Sequence, residues 1–488
     1  VARRKRPINA GVPATKPPPK DEKPARPEPE KTGGDKPQKA APVGAQASQP
    51  EPPAAPSSSA EPITEELSRP EAGDAAPKRR RKPVPLALKL IAATVTLAVV
   101  FIAAAILGGR GSTGGGNAKP GAAAPSTGNG SKPTPAPAEQ ASAELGYPAF
   151  ATKNTTRIGG EDPAANAAGA ALATFPSASP RQRPIAVTFV GEDDWQGAIA
   201  ASSLMALPVR SPILLSAVDG VPDPTAKAFT ALDPLGSGST LGAQAFVVGD
   251  VATPGGLLHV KRIEAGDPAA TAAAIERVRN QLLGTPKHVV VASAGDPAFA
   301  MPAAAWAARS GDPVLFAAGK KLPAATAAAL KRSKGVPVFL LGPPSAIPPS
   351  VEAEIAQIDP NVQRVSGSDP ITNAIALARY SSGDFGWNIN DPGHGFVVAR
   401  SDSPLDAAAA APLSAAGTWG PLLLTDSSDT LPAALRGYLL DVKPGYTTDP
   451  TRAFYNHVWV IGDQEAIDVN QQAEIDHLAE LTKIGGQP

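Results

Sequence analysis

Arg157-Ile158-Gly159-Gly160-Glu161-Asp162-Pro163-Ala164-Ala165-Asn166 opens a pattern that the chain writes three times. It returns as Arg262-Ile263-Glu264-Ala265-Gly266-Asp267-Pro268-Ala269-Ala270-Thr271 and as Arg364-Val365-Ser366-Gly367-Ser368-Asp369-Pro370-Ile371-Thr372-Asn373. The copies start 105 and 102 residues apart, and self-similarity at a nearly fixed period marks a repeated structural unit. Three short apolar runs follow each copy in the same order: 185–190, 212–216 and 245–248; then 288–292, 313–316 and 336–341; then 395–399, 421–425 and 457–461. They are rich in β-branched residues and apolar on both faces, the pattern of buried parallel strands.

Alanine-rich stretches such as 324–331 and 407–413 lie between the runs and read as helices whose small side chains allow close approach to a sheet. Asp162, Asp267 and Asp369 each precede a proline. That pairing suits a helix start, with a carboxylate accepting from free N–H groups and proline in the first turn. Gly249, Gly342 and Gly462 end the third runs, where glycine permits a tight turn. The expectation is three tandem α/β units over residues 150–261, 262–363 and 364–488.

The segment before them has a different composition. Residues 1–82 hold 17 Lys/Arg and 11 Asp/Glu among many prolines and alanines, too little apolar surface to offset the entropy of ordering. A disordered, basic, Pro-rich cytoplasmic arm is expected there. From Leu90 to Leu107 run eighteen uncharged residues, LIAATVTLAVVFIAAAIL, about 27 Å as a helix and close to a bilayer core. With Leu86, Ala87 and Leu88 they predict a transmembrane helix over 86–107. Lys78, Arg79, Arg80, Arg81 and Lys82 place the N-terminus in the cytoplasm by the positive-inside rule and can also meet membrane lipid. Residues 108–149 read as a Gly/Ser/Pro-rich stalk. The expected topology is a single-pass protein of the cell membrane with its repeats extracytoplasmic.

Residues 150–488 hold 24 Lys/Arg against 32 Asp/Glu, a net charge of −8 without a long basic patch, so nucleic acid is excluded as a partner. There is no cysteine and there are five scattered histidines. Thiolate zinc is therefore excluded, no other metal site is indicated, and no cofactor is expected.

The third repeat also carries Ser403-Pro404-Leu405-Asp406-Ala407, Pro412-Leu413, Pro421-Leu422-Leu423-Leu424-Thr425, Leu431-Pro432 and Val460-Ile461-Gly462. The first carries Trp195-Gln196-Gly197-Ala198-Ile199-Ala200-Ala201 and Pro212-Ile213-Leu214-Leu215-Ser216; the second, Phe299-Ala300, Pro313-Val314-Leu315 and Leu322-Pro323. In this order the motifs resemble the cell wall-binding repeat 2 family, found in triplicate in surface proteins of Gram-positive bacteria. Proline stands where that family has an arginine after the opening Asp, and Gln196 stands near a family acid. The resemblance implies three Rossmann-like modules around a pseudo-threefold axis, and non-catalytic attachment to a cell-envelope polymer or glycan, with anionic wall polymers among the family's ligands.

Candidate contacts are Arg157, Arg262 and Arg364, since a guanidinium offers a rigid donor fork to phosphate or carboxylate. The alternative is an ion pair from each to Asp162, Asp267 and Asp369 that fixes its own loop. Trp195 and Trp387 are candidates for stacking on sugars, whereas Trp306, Trp419 and Trp459 read as core or interface filling. A hydrolase built on Asp193, Asp194, Asp296, Asp402 and Asp406 is a second reading, but no Gly-x-Ser-x-Gly, His-Glu-x-x-His or phosphate loop accompanies them. A third is an extracytoplasmic scaffold for a protein partner.

Overall fold

The computed structural model describes residues 135–264, 266–417 and 419–485. The arm over 1–82, the apolar segment 86–107 and most of the stalk lie outside the described residues. The expectation of a membrane anchor is corrected here. Among the described residues no helix is long and apolar enough to cross a membrane. The longest, Pro268–Leu283, has 16 residues and is interrupted by Glu276, Arg277 and Arg279. Neither a lipid-bound helix nor a single-pass topology with a cytoplasmic N-terminus is part of the structure described.

Strands β1 (Phe150–Ala151) and β2 (Thr155–Ile158) come first. Four follow in the first sheet: β3 (Val187–Gly191), β4 (Ile213–Ser216), β5 (Ala245–Val248) and β6 (Val260–Ile263). The second sheet contains β7 (Val289–Ser293), β8 (Val314–Ala317), β9 (Val338–Leu341) and β10 (Val362–Val365). The last repeat supplies β11 (Gly395–Arg400), β12 (Leu422–Thr425) and β14 (His457–Ile461) to the third sheet, and β13 (Gly445–Tyr446) and β15 (Thr482–Lys483) pair separately. β3, β4, β5, β7, β8, β9 and β12 are buried at every position, as strands covered on both faces must be.

Three sheets share one strand order, β4-β3-β5-β6, β8-β7-β9-β10 and β12-β11-β14-β2. All of these pairings are parallel, and β1 adds an antiparallel edge beside β2. The fold is therefore a set of Rossmann-like parallel modules. In each sheet the fourth strand is the opening strand of another repeat: β6 joins the first sheet, β10 the second, and β2 the third. The registers correspond, with Val248 opposite Ile263, Leu341 opposite Val365 and Ile461 opposite Ile158. Each third strand ends in a glycine of positive φ, and Gly249, Gly342 and Gly462 donate their N–H to the carbonyls of Ile263, Val365 and Ile158.

The helices after the first strands, Trp195–Ala201, Pro302–Ser310 and Pro404–Ala409, touch one another pairwise. They are built largely of alanine, whose methyl groups let helix axes approach closely. The second and third modules are joined again by a loop before β11. Its Phe385 stacks on Phe339 at 3.6 Å and its Asp384 meets His288 Nε2 at 3.0 Å. His288 Nδ1 meets Asp312 at 3.0 Å. Burial alone would lower the histidine's pKa, but the two carboxylates outweigh it and hold the imidazole above its ordinary value.

Because β2 is a working strand of the third sheet, truncating its buried Ile158 must act far along the sequence. Ile158→Ala is expected to destabilise the fold by about 2–4 kcal/mol, and to raise amide exchange in Val458, Val460 and Ile461 more than in Val290 and Val291. Equal effects on both sheets would contradict the pairing.

Candidate functional site

The opening-strand arginines occupy one register position, Arg157 opposite Val460, Arg262 opposite Val247 and Arg364 opposite Leu340. Their surroundings differ. Arg157 is 1% exposed. Its guanidinium donates to the carbonyls of Gly462 and Asp463, to Gln472 Oε1 at 2.9 Å and to the Asp468 carbonyl. Arg364 donates to Gly342 O at 2.7 Å and Ile347 O at 2.9 Å, and pairs with Glu352 at 2.7 Å. Both tie the turn after the third strand to the helix that follows, Val469–Ala479 for Arg157 and Pro349–Ile358 for Arg364.

The first sheet has no helix between β5 and β6. Residues 249–259 run directly across, and Arg262 is exposed, with no side-chain hydrogen bond or ion pair among the described residues. Lacking a helix to cover it, the same edge leaves Leu258 79% exposed and Val260 exposed.

The opening aspartates pair with none of these arginines. Asp162 accepts from Ala165 N at 2.7 Å, Asp267 from Ala270 N at 2.8 Å and Asp369 from Thr372 N at 2.9 Å, each with proline in the helix's first turn. They satisfy N–H groups that a helix start leaves free.

Between the first and third modules the C-terminal ends of the strands gather carboxylates. Glu192 is held above the ordinary range by partial burial and by the charges of Asp162, Asp219 and Asp193. Asp194 is raised by burial, against a hydrogen bond from Gly197 N. Asp406 is 4% exposed and accepts from Asn166 Nδ2 at 2.9 Å. Burial, with Asp162 and Asp402 nearby, pushes it up to about 6. No cluster of side chains suited to a metal ion is found among the described residues.

Trp195 is half-buried with its ring edge-on to Phe316 at 5.8 Å. Trp387 is 7% exposed, packed edge-on to Trp306 at 5.7 Å, with the Arg309 guanidinium 4.9 Å from its ring centre. Trp419, read from sequence as packing, is 44% exposed and lies 6.0 Å from the same guanidinium. Sequence reading passed over Arg309 entirely. The available signal was alignment of the repeats on the proline before the second strand, which sets Trp419 against Gly311 and Arg210.

Two measurements check these assignments. Arg157→Gln strands several buried acceptors and is expected to cost about 2–4 kcal/mol in urea unfolding, whereas Arg262→Gln should stay within about 0.5 kcal/mol; comparable losses would refute the contrast. Asp406 has a folded-state pKa above the usual carboxyl value, so its contribution favours folding at low pH and is lost as pH rises through about 6. Asp406→Asn should therefore match the parent near pH 4 and exceed it near pH 8 by up to about 3 kcal/mol, read from urea midpoints. An advantage that does not grow with pH would contradict this.

Residues 262–352 and 364–471 match the family model of cell wall binding domain 2 (CWB2). The expectation of three family repeats is thereby corrected to two matched segments. The module containing β3 to β5 has the same strand order but falls outside the match, and it is the one that lacks the helix after its third strand. Among solved structures, Cwp8 from Clostridium difficile is similar at 22% identity over 67% of this chain and 52% of its own length, with a TM-score of 0.52. Cwp6 from Clostridium difficile is similar at 19% identity over 67% of this chain and 47% of its own, also with a TM-score of 0.52. The chain thus spans about half the length of the solved structures it matches, and the likeness to them is one of fold. No curated protein matches. Cell wall binding repeats of the CWB2 type are supported over two segments of the chain.

Proposed function

We propose that the described region is a non-catalytic binding module for a cell-envelope polymer and works outside the cytoplasm. The observation that carries this reading is the match of residues 262–352 and 364–471 to a cell wall binding family. Four of the five carboxylates that could have served hydrolysis support it by their engagements. Asp194 accepts from Gly197 N, Asp296 from Ser293 Oγ at 2.8 Å, and Asp406 from Asn166, while Asp402 pairs with Arg400 at 2.6 Å.

Arg262 takes the ligand-contacting role among the opening-strand arginines, because its donors are uncommitted among the described residues. Arg157 and Arg364 hold the loops around them. Trp195, after the first strand of the first sheet and edge-on to Phe316, offers a partly accessible ring, and Trp387 acts as a packed support. Asp162, Asp267 and Asp369 fix the helix starts behind the loops.

The test is co-sedimentation of the full chain with peptidoglycan sacculi before and after chemical removal of attached polymers. Pelleting before removal and its loss afterwards is the expected result, with Arg262→Gln weakening it several-fold. Failure to pellet with untreated sacculi rejects the proposal, and equal pelleting after removal transfers the ligand to peptidoglycan itself.

A further inference from the structure

The residue two places before the proline that leads into each second strand has a left-handed backbone in all three modules: Arg210 at φ +53°, Gly311 at +76° and Trp419 at +58°. Glycine adopts this conformation freely, but a bulky side chain does so only against steric resistance. The second module uses the expected residue. The third places a tryptophan there and leaves it 44% exposed, so neither backbone ease nor burial explains the indole. Strain of this kind clusters where a side chain is held for a ligand.

Beside it, Arg309 lies in the last turn of Pro302–Ser310, between the rings of Trp387 at 4.9 Å and Trp419 at 6.0 Å. It is exposed and pairs with no carboxylate among the described residues. Trp387 is buried against Trp306 and forms a fixed floor. A cation with no hydrogen-bond or ion-pair partner among the described residues, set against two indoles of which one is partly exposed, suits one chemistry well: a sugar ring whose C–H face lies on the indole and whose acid group takes the guanidinium fork.

We propose that Arg309, Trp387 and Trp419 form a subsite for a pyranose ring bearing an anionic substituent, at the junction of the second and third modules. The assignment deepens the envelope-polymer reading and rests on it for the biological source of the sugar. The subsite lies at the N-terminal ends of the strands, away from Glu192, Asp193, Asp219 and Asp402; the acids at its own end, Asp312 and Asp384, are engaged by Trp306, His288 and Lys287.

The five indole N–H signals of the full chain, assigned by Trp→Phe substitution, report binding of three probes: trigalacturonic acid, glucose 6-phosphate and neutral maltotriose. At least one anionic probe should shift the Trp387 and Trp419 signals at a concentration ten-fold or more below that needed for maltotriose. The carboxylate and phosphate arms identify which anion is preferred. Arg309→Gln should remove the preference for charge. Trp419→Gly should abolish the shift at Trp387 while the melting temperature stays level or rises, because glycine relieves the backbone; an indole serving only packing would lower it. No shift with either anionic probe, equal response to maltotriose, or titrations unchanged in both variants overturns the subsite. Sacculus pelleting of the unsubstituted chain reads the envelope proposal separately: titration without pelleting rejects that reading alone, and pelleting without titration rejects the subsite alone.

Discussion

The pairing of β2 with β14 is the constraint on which the remaining architecture depends. The strand that opens the first repeat supplies the fourth strand of the last sheet, and the hydrogen bond from Arg157 to Gly462 spans 305 residues. Without it β14 would present an open edge, the feature that invites pairing with other chains. Closure over so long a loop is tolerable because its entropic cost grows only logarithmically, about 0.6 kcal/mol per doubling of length. Each opening strand thus belongs to one sheet while the helix after it packs over the next. Pro163–Thr174 lies on β4, Pro268–Leu283 on β8 and Pro370–Arg379 on β12. The modules are consequently not beads on a string, since each of the three large sheets is completed by residues from a neighbouring repeat.

This sharing gives the opening arginines a task in folding before any task in binding. In the second and third sheets the chain forms a helix after the third strand, and the arginine gathers the carbonyls of the intervening turn. In the first sheet the connection is a short crossing over 249–259; Gly249 keeps the turn's glycine, but no following helix is there to supply a partner such as Gln472 or Glu352. One absent helix accounts for the uncommitted Arg262, for the exposure of Leu258 and Val260, and for a local departure from the pattern of the other two modules.

Much of this was legible from residues alone, and the limits follow from side-chain chemistry. The nine two-faced strands lie within two residues of their expected ends, because a run such as Ala245-Phe246-Val247-Val248 has no other stable use than burial between helices. The opening strands were invisible as strands. Thr155-Thr156-Arg157-Ile158, Val260-Lys261-Arg262-Ile263 and Val362-Gln363-Arg364-Val365 mix polar and apolar residues because they lie toward sheet edges, where one side chain in two can face water or a loop. The exchange of these strands between repeats leaves no local mark. Similarly, nothing in the sequence around Trp387 separates a buried ring from an open one; only in three dimensions do Phe385, Trp387 and Ile389 turn inward while Asp384, Asn388 and Asn390 stay exposed.

The polarity of parallel sheets also explains the charge of the repeats. Helices that follow strands begin at the strands' C-terminal ends, and their free N–H groups call for carboxylates there. Asp162, Asp194, Asp267, Asp369 and Asp468 all accept from such groups. Part of the net charge of −8 is therefore a product of topology, engaged by helix starts rather than projected freely into solvent. Helix ends gather at the opposite side, where cations are favoured, and Arg309, Lys331, Arg332 and Arg379 occupy last turns. A Debye length of about 8 Å at physiological salt is short beside a strand of four or five residues with its loops. An anionic group approaching the helix-end side meets Arg309 and Lys331 there, whereas Arg332 and Arg379 are already paired with Glu276 and Asp441. The sum over the domain is a poor guide to what each end attracts, because the fold itself has sorted the charges.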